Sequence, residues 1–254
     1  MTDRLEDQAV AVRVRLSARS GLVLPVLRTG NGTEACGDCL VLGPETPEGA
    51  TLHYPAALPP AQQGLALAAA LHLLRPPRPW PQAPCTLRTP DGPRQAWRCR
   101  GRILVEFPAP LLRELTPAEA LAVGLGASPL ASAPWRITLD RAMLAARCPD
   151  LETLLAWRMP EGLAAGLRDQ GLAGLVLCVL GPHGPLVRSW LDTGQELPSP
   201  LAAGAAACLW QRGGRDRGRV AMRWPVSGEA LEVRLRIGPS GIERLHLPLR
   251  VRTA

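Results

Sequence analysis

Residues 63–74 read QGLALAAALHLL. Apolar side chains fall on nearly every face of that stretch, and most of them are Ala or Leu. Pro76 and Pro77 end it, because a helix cannot run through them. The spacing predicts a helix over 64–74, opening on Gly64, that is buried all round and not along one stripe. A sheet curled around the helix provides that environment. The pattern returns in GAAACLWQR (204–212), a second small-residue helix opening on Gly204. Leu42-Gly43-Pro44 likewise returns as Leu180-Gly181-Pro182, and the two offsets are 138 and 140 residues. Matching offsets indicate a duplicated unit.

Strand patterns surround both helices. VAVRVRL (10–16) alternates apolar and polar residues. CLVLGPETPEGATLHYP (39–55) reads as strand, turn, strand. Residues 85–110 read as two or three strands joined by turns at Asp91-Gly92 and Arg100-Gly101. In the second half LVLCVLGPHGPLVRSWL (175–191) gives another strand pair, and alternating strands fill 219–251. Between the halves, 115–127 reads as a short helix, WRITL (135–139) as a strand and 140–157 as one or two helices. The expected fold is therefore α+β. It has two pseudo-symmetric lobes, 1–112 and 113–254, each a curled, mostly antiparallel sheet around a central buried helix. The last strand is open to pairing with the first lobe.

Two such lobes side by side leave a cleft into which both helix N-termini point. Free backbone N–H groups there would suit a carboxylate. Equally, Gly64 and Gly204 would suit close helix–sheet packing.

Composition bounds the function. The chain of 254 residues carries net charge +7, has 29 basic residues that are all Arg, and contains a single Asn, Asn31. That bias toward Arg, Ala, Pro and Gly reads as a GC-rich genome. From Arg212 to Arg252 there are ten Arg and four acids. Nucleic-acid binding through RGGRDRGR (212–219) is not expected, since only Trp210 and Trp224 flank it and a single-strand surface interleaves aromatics with its charges. The longest apolar runs span about ten residues against the roughly 20 of a membrane span. With an acidic, polar start and scattered cysteines, a cytoplasmic protein with reduced thiols is expected. Cys36 and Cys39 form a CxxC, but the other five Cys and four His supply no second ligand pair. No metal or other cofactor is expected.

The order of these segments resembles the PhzF-like isomerases of phenazine biosynthesis, relatives of diaminopimelate epimerase. GTEACG before CLVLGP is similar to the family's SETAFV. QGLALAAALHLL is similar to CGHATLAAAHVL, and ELPSPLAAGAAACLWQR to DEDPVTGSAHCALAPYW. GPRQAWRCRGRILVEFPAP and LDRAMLAARCPDLETLLAW also have counterparts. The resemblance implies a diaminopimelate-epimerase-like fold. It implies cofactor-free isomerisation or epimerisation by proton transfer on a small carboxylated substrate, in a bacterial protein that can form a homodimer. It places Glu34 on the proton-shuttling glutamate, although read alone Glu34 is a loop acid between glycines. It places Gln63, Gly64, Gly204 and Ala205 on substrate-binding positions. The chain departs from the pattern where the family has His, here Leu65, and Asp, here Pro200 or Ser199. Ala205 and Ala207 replace a further Ser and His, and the N-terminal F.GNPAAVV segment has no evident counterpart. These losses make a catalytically degenerate binding protein on the same scaffold the alternative expectation.

Overall fold

A computed structural model describes residues 10–15, 22–29, 39–47, 49–55, 57–75, 83–125, 130–214 and 218–253. Its first half begins with two short strands whose inward residues alternate with outward ones. These are β1 (Val10–Arg15), with Val12 and Val14 buried, and β2 (Leu22–Arg28), with Leu24 and Val26 buried. The hairpin β3 (Leu40–Thr46) and β4 (Gly49–His53) follows, then α1 (Gln63–Leu74). Next come β5 (Cys85–Thr89), β6 (Gly92–Cys99) and β7 (Arg102–Phe107). The turn between the last two carries Arg100 and Gly101 at φ 49° and 73°, as a tight hairpin requires.

The second half opens with β8 (Leu111–Glu114), α2 (Pro117–Val123), β9 (Trp135–Thr138) and β10 (Ala142–Arg147). It continues with α3 (Leu151–Ala156), α4 (Leu163–Asp169) and the hairpin β11 (Leu172–Leu180) and β12 (Pro185–Leu191). Then come α5 (Pro200–Arg212), β13 (Arg219–Trp224), β14 (Glu229–Gly238) and β15 (Gly241–Thr253).

The fifteen strands of the described residues join one sheet, and the pairing repeats. β2–β3 and β4–β5 are parallel, β3–β4 antiparallel. In the same order β10–β11 and β12–β13 are parallel, β11–β12 antiparallel. The long β15 belongs to both halves. It pairs with β14 and β7 through its first part, and through Arg250–Thr253 with β1. That last pairing closes β1 to β7 and β15 into an eight-stranded ring, while the other end of the sheet stops at β8.

The ring has room for little more than side chains, so a helix inside it must be slim. α1 touches the ring on β1, β2, β3, β6, β7 and β15, and presents Ala66, Ala68, Ala69 and Ala70 among its leucines. α5 touches β9 through β15 and carries Ala202, Ala203, Gly204 and Ala205 to Ala207. Both helices are buried along almost their whole length. The chain thus forms two pseudo-symmetric lobes, each a curled sheet around a central helix.

A second sign of duplication lies in two glycines. Gly49, at φ 116°, starts β4, and a Cβ there would collide with the Thr86 carbonyl of β5. Gly184, at φ 150°, precedes β12, and a Cβ there would collide with the Ala221 carbonyl of β13. In both a positive-φ glycine meets a carbonyl of the parallel neighbour, 135 residues apart in both glycine and partner.

Three sequence expectations are corrected. Residues 142–147 are a strand. AMLAAR has helix-forming residues, but β10 sits between β9 and β11 and is buried on both faces, which favours a continuous apolar strand. Both central helices begin before their glycines, α1 at Gln63 after a 3-10 turn at Pro60–Gln62, and α5 at Pro200. Strand β2 was unread, because Pro25 interrupts its alternation; Pro25 precedes the stretch, Val26 to Arg28, that pairs with β3, so its missing N–H costs that ladder nothing. No helix among the described residues is long and apolar enough to cross a membrane.

Candidate functional site

The N-terminal ends of the two central helices meet. At Gly64 a Cβ would lie 2.9 Å from Pro200 Cβ and 3.3 Å from Phe107 Cζ, so the missing side chain lets the helices approach. Gly204 faces the Leu139 side chain across its own sheet. Beside this junction lies a cavity of about 520 Å³ with walls from both halves. The first half supplies Val14, Leu24 and Pro25 from β1 and β2, and Leu58, Gln62 and Leu65 from the entry to α1. The second supplies Leu191, Gln195, Leu197 and Pro198 from the end of β12 and the turn before α5.

The turn before α5 is held rigidly, which fixes that wall. Leu191 N donates to Gln195 O (2.9 Å) and Leu197 N to Ser189 O (3.0 Å). Ser189 Oγ donates to Leu197 O (2.8 Å) and accepts from Trp224 Nε1 (3.2 Å). Glu196 takes a two-pronged ion pair from the buried Arg188, Nε to Oε1 and Nη2 to Oε2, both 2.7 Å. The same guanidinium caps α3, its Nη1 donating to the carbonyls of Leu154, Leu155 and Trp157. It also lies 4.7 Å from the centroid of the Trp190 ring.

The polar groups at the helix ends are mostly committed. Gln62 N donates to Pro59 O (2.8 Å), and Gln63 N to Pro60 O, so the 3-10 turn absorbs the first donor of α1. At α5, Pro200 has no N–H, Ala202 N donates to Ser199 Oγ (3.1 Å) and Ala203 N to Ser199 O (3.0 Å). Gln62 is the exception. Its Nε2 donates to Pro198 O at 3.3 Å, whereas its Oε1 is buried and has no partner.

The sequence-predicted residues distribute as follows. Glu34 and Cys36 lie outside the described residues. Gln63, Gly64, Gly204 and Ala205 are buried at the helix junction and along α5, and they are not among the residues lining the cavity. Their neighbours Gln62 and Leu65 line it. Leu65, which the resemblance sets at a histidine position, is a wall residue. Cys208 is buried in α5, and burial pushes its thiol up to about 12, so it is un-ionised at neutral pH. Sequence reading missed Gln62 and the 195–198 turn. The only signal for Gln62 was a glutamine pair in an otherwise apolar helix entry, and nothing local marked it as a wall.

A further set of polar contacts crosses between the halves. Arg141 Nη2 binds Asp91 Oδ1, and Arg94 Nε lies 3.8 Å from Asp140 Oδ2. Burial raises the Asp140 carboxyl above its usual range, with Arg94 opposing the shift. Burial likewise lifts the Tyr54 phenol to about 12. These groups pin the β5–β6 hairpin to the turn after β9 and are not among the residues lining the cavity. Among the described residues no three His, Cys, Asp or Glu side chains gather as a metal site.

Comparison with solved structures decides what this architecture is. A PhzC/PhzF phenazine biosynthesis protein from Clostridium difficile superposes with a TM-score of 0.67 at 12% identity, covering 96% of both chains. A predicted epimerase from Pseudomonas aeruginosa gives 0.68 at 17% identity over 97% of both. The fold is that of the PhzF proteins and related epimerases. A hydroxyproline epimerase from Agrobacterium vitis, solved with trans-4-hydroxy-L-proline bound, also shares the PhzF-like fold, at TM-score 0.61 and 14% identity over 98% of this chain and 89% of that one. Neither a protein-family model nor a curated protein matches the sequence. The PhzF-like fold gives this chain the two-lobed scaffold, and the lining residues give its cavity an apolar character.

Proposed function

We propose that this protein is a PhzF-like isomerase that moves a proton on a small molecule held between its two lobes. The observation that carries the reading is the cavity itself, built by both halves beside the junction of the two central helices. Solved neighbours in fold include a hydroxyproline epimerase with its amino acid bound and a predicted epimerase, which supports isomerisation as the class of chemistry.

Glu34 is the proposed acid–base group. An apolar surrounding raises a carboxyl toward neutral pH, where it can both accept and return a proton. A family cofactor is not part of this reading. The test is exchange of a substrate C–H proton with solvent in D2O, using a panel of cyclic and amino-acid-like candidates. Glu34→Gln, checked for folding, should slow exchange by on the order of 10²-fold or more. Exchange at an unchanged rate would remove Glu34 from the reaction.

A second reading is a binding protein that has lost the chemistry. Leu65 in the cavity wall and Pro200 at the start of α5 favour it, since neither can steady charge developing on a substrate, and such stabilisation is usually the larger part of catalysis. Binding in the cavity without exchange for any candidate would establish this reading over the first.

A further inference from the structure

A cavity of about 520 Å³ lies within the size range of small-molecule sites. Native interiors pack densely and leave few voids larger than a water molecule. The hydrogen-bonded turn at 195–198 and the paired strands β1 and β2 frame this space. The space is therefore shaped for an occupant, and the wall states which kind.

The described lining residues include no charged side chain. They are Val, Leu, Pro and Ala, with two exceptions, Gln62 and Gln195. Gln195 is exposed. Gln62 is 4% exposed. Its amide orientation is fixed, because exchanging Nε2 and Oε1 would set oxygen against the Pro198 carbonyl. The unpartnered atom is thus the acceptor Oε1. A buried acceptor without a donor is costly, and natural proteins leave few of them.

A carboxylate would be poorly received here. Bringing a charge against an apolar wall requires a counter-charge or several donors. The backbone donors named above at the starts of α1 and α5 are already bonded within the protein, and Pro200 contributes none. Among the side chains of the described lining residues, the buried atom without a partner, Gln62 Oε1, repels an anion. It would accept from an N–H or O–H.

We propose that the cavity binds an uncharged, largely apolar molecule of about two rings that donates one hydrogen bond to Gln62 Oε1. This rests on the reading of the cavity as the ligand site, and it moves the occupant away from the carboxylate that the family resemblance implies. Selection is by shape and by one donor, since the orphan acceptor makes a donor-less analogue leave a polar group unpaired.

The experiment uses three probes with one skeleton, 2-naphthol, 2-methoxynaphthalene and 2-naphthoate, titrated calorimetrically into the full chain at pH 7. 2-Naphthol should bind about 10-fold or more tightly than either of the others, the size of effect that one satisfied buried acceptor provides. In Gln62→Leu the naphthol and methoxynaphthalene affinities should converge to within about 2-fold. Should that variant not fold, the naphthol-to-methoxynaphthalene ratio on the native chain decides alone. Equal or tighter binding of 2-naphthoate overturns the proposal. So does equal binding of 2-methoxynaphthalene to the native chain, persistence of the preference in folded Gln62→Leu, or no binding by any probe up to its solubility. Affinity and not turnover is read, so failure here leaves the proton-exchange test of Glu34 standing, and failure there leaves this ranking intact.

Discussion

The two halves share one order of strand pairing but solve the problem of a curled sheet differently. The first closes on itself, because the end of β15 pairs with β1. The second stays open at β8, and its outer face is covered by α2, α3 and α4. The difference shows in the strands. In β1 and β13 one face meets the central helix and the other meets solvent, so VAVRVR and RVAMRW alternate. In β10 and β11 both faces are buried. Met143, Ala145, Val176 and Cys178 point to the central core, whereas Leu144, Ala146, Leu175 and Leu177 pack under the outer helices with Trp157, Leu163 and Leu167. A closed ring guards its edges by pairing, and an open sheet of this kind gains stability by adding a layer.

Arg188 joins that outer layer to the cavity wall, and nothing equivalent is needed in the first half, where the described residues include no outer helix. Replacing it should have the largest effect. Arg188→Met strands Glu196 and frees three carbonyls. The side chains are 5% and 32% exposed, so a loss of roughly 3 kcal/mol is expected, toward the lower end for a broken buried pair. Urea denaturation measures it. A loss below about 1 kcal/mol would mean that the outer layer and the wall are not coupled through this residue.

The paired glycines test whether the halves are equivalent where the structure makes them so. Gly49→Ala and Gly184→Ala each force a side chain into a left-handed backbone and against a neighbouring carbonyl. Each should cost about 2–3 kcal/mol. Thermal melts of the two variants should agree closely. If one is neutral, the symmetry of the hairpin-to-strand junctions does not extend to energetics.

A smaller effect separates the C-terminal ends of the two central helices. At α5, Arg212 stacks over Trp135 at 4.1 Å. At α1, Arg98 Nη2 lies 3.1 Å from His72 Nδ1. A guanidinium only donates, so Nδ1 accepts and the ring proton sits on Nε2, 3.3 Å from Thr253 Oγ1. Burial, then the Arg98 charge, lowers the His72 pKa below its ordinary value. The unfolded chain therefore takes up this proton first. The contribution is fully present above about pH 6.5 and is lost as pH falls from there through the folded value. His72→Gln should flatten the fall in urea midpoint between pH 7.5 and 5. An unchanged slope would assign the acid sensitivity to other groups.

Much of this was legible because it is local. Two all-round apolar helices of small residues can only be buried, and the recurring Leu-Gly-Pro and helix glycines mark a repeat. From those, the two-lobed α+β fold follows, as do the hairpins whose turns carry Asp91-Gly92 and Arg100-Gly101. Where neighbours on both faces set the pattern, the sequence misled. AMLAAR reads as helix because its residues favour helix in isolation, and only its place between β9 and β11 makes it a strand. β2 went unread because Pro25 breaks its alternation, and the chain tolerates the proline because it lies just before the residues, Val26 to Arg28, that pair with β3.

The site divides in the same way. The sequence by itself marked the region, the starts of the two central helices, since glycine and proline there are written in the chain. Tertiary structure alone decided which side chains form the wall. Gln62 and Leu65 line the cavity while Gln63 and Gly64 between them do not, because successive helical residues point about 100° apart. Leu197 and Pro198 join them from 130 residues away only because Arg188 and Ser189 fix the intervening turn. Glu34 remains an assignment of the sequence. A wall assembled from two distant segments has no local signature, since its chemistry comes from what long-range packing brings together and what it leaves unpaired.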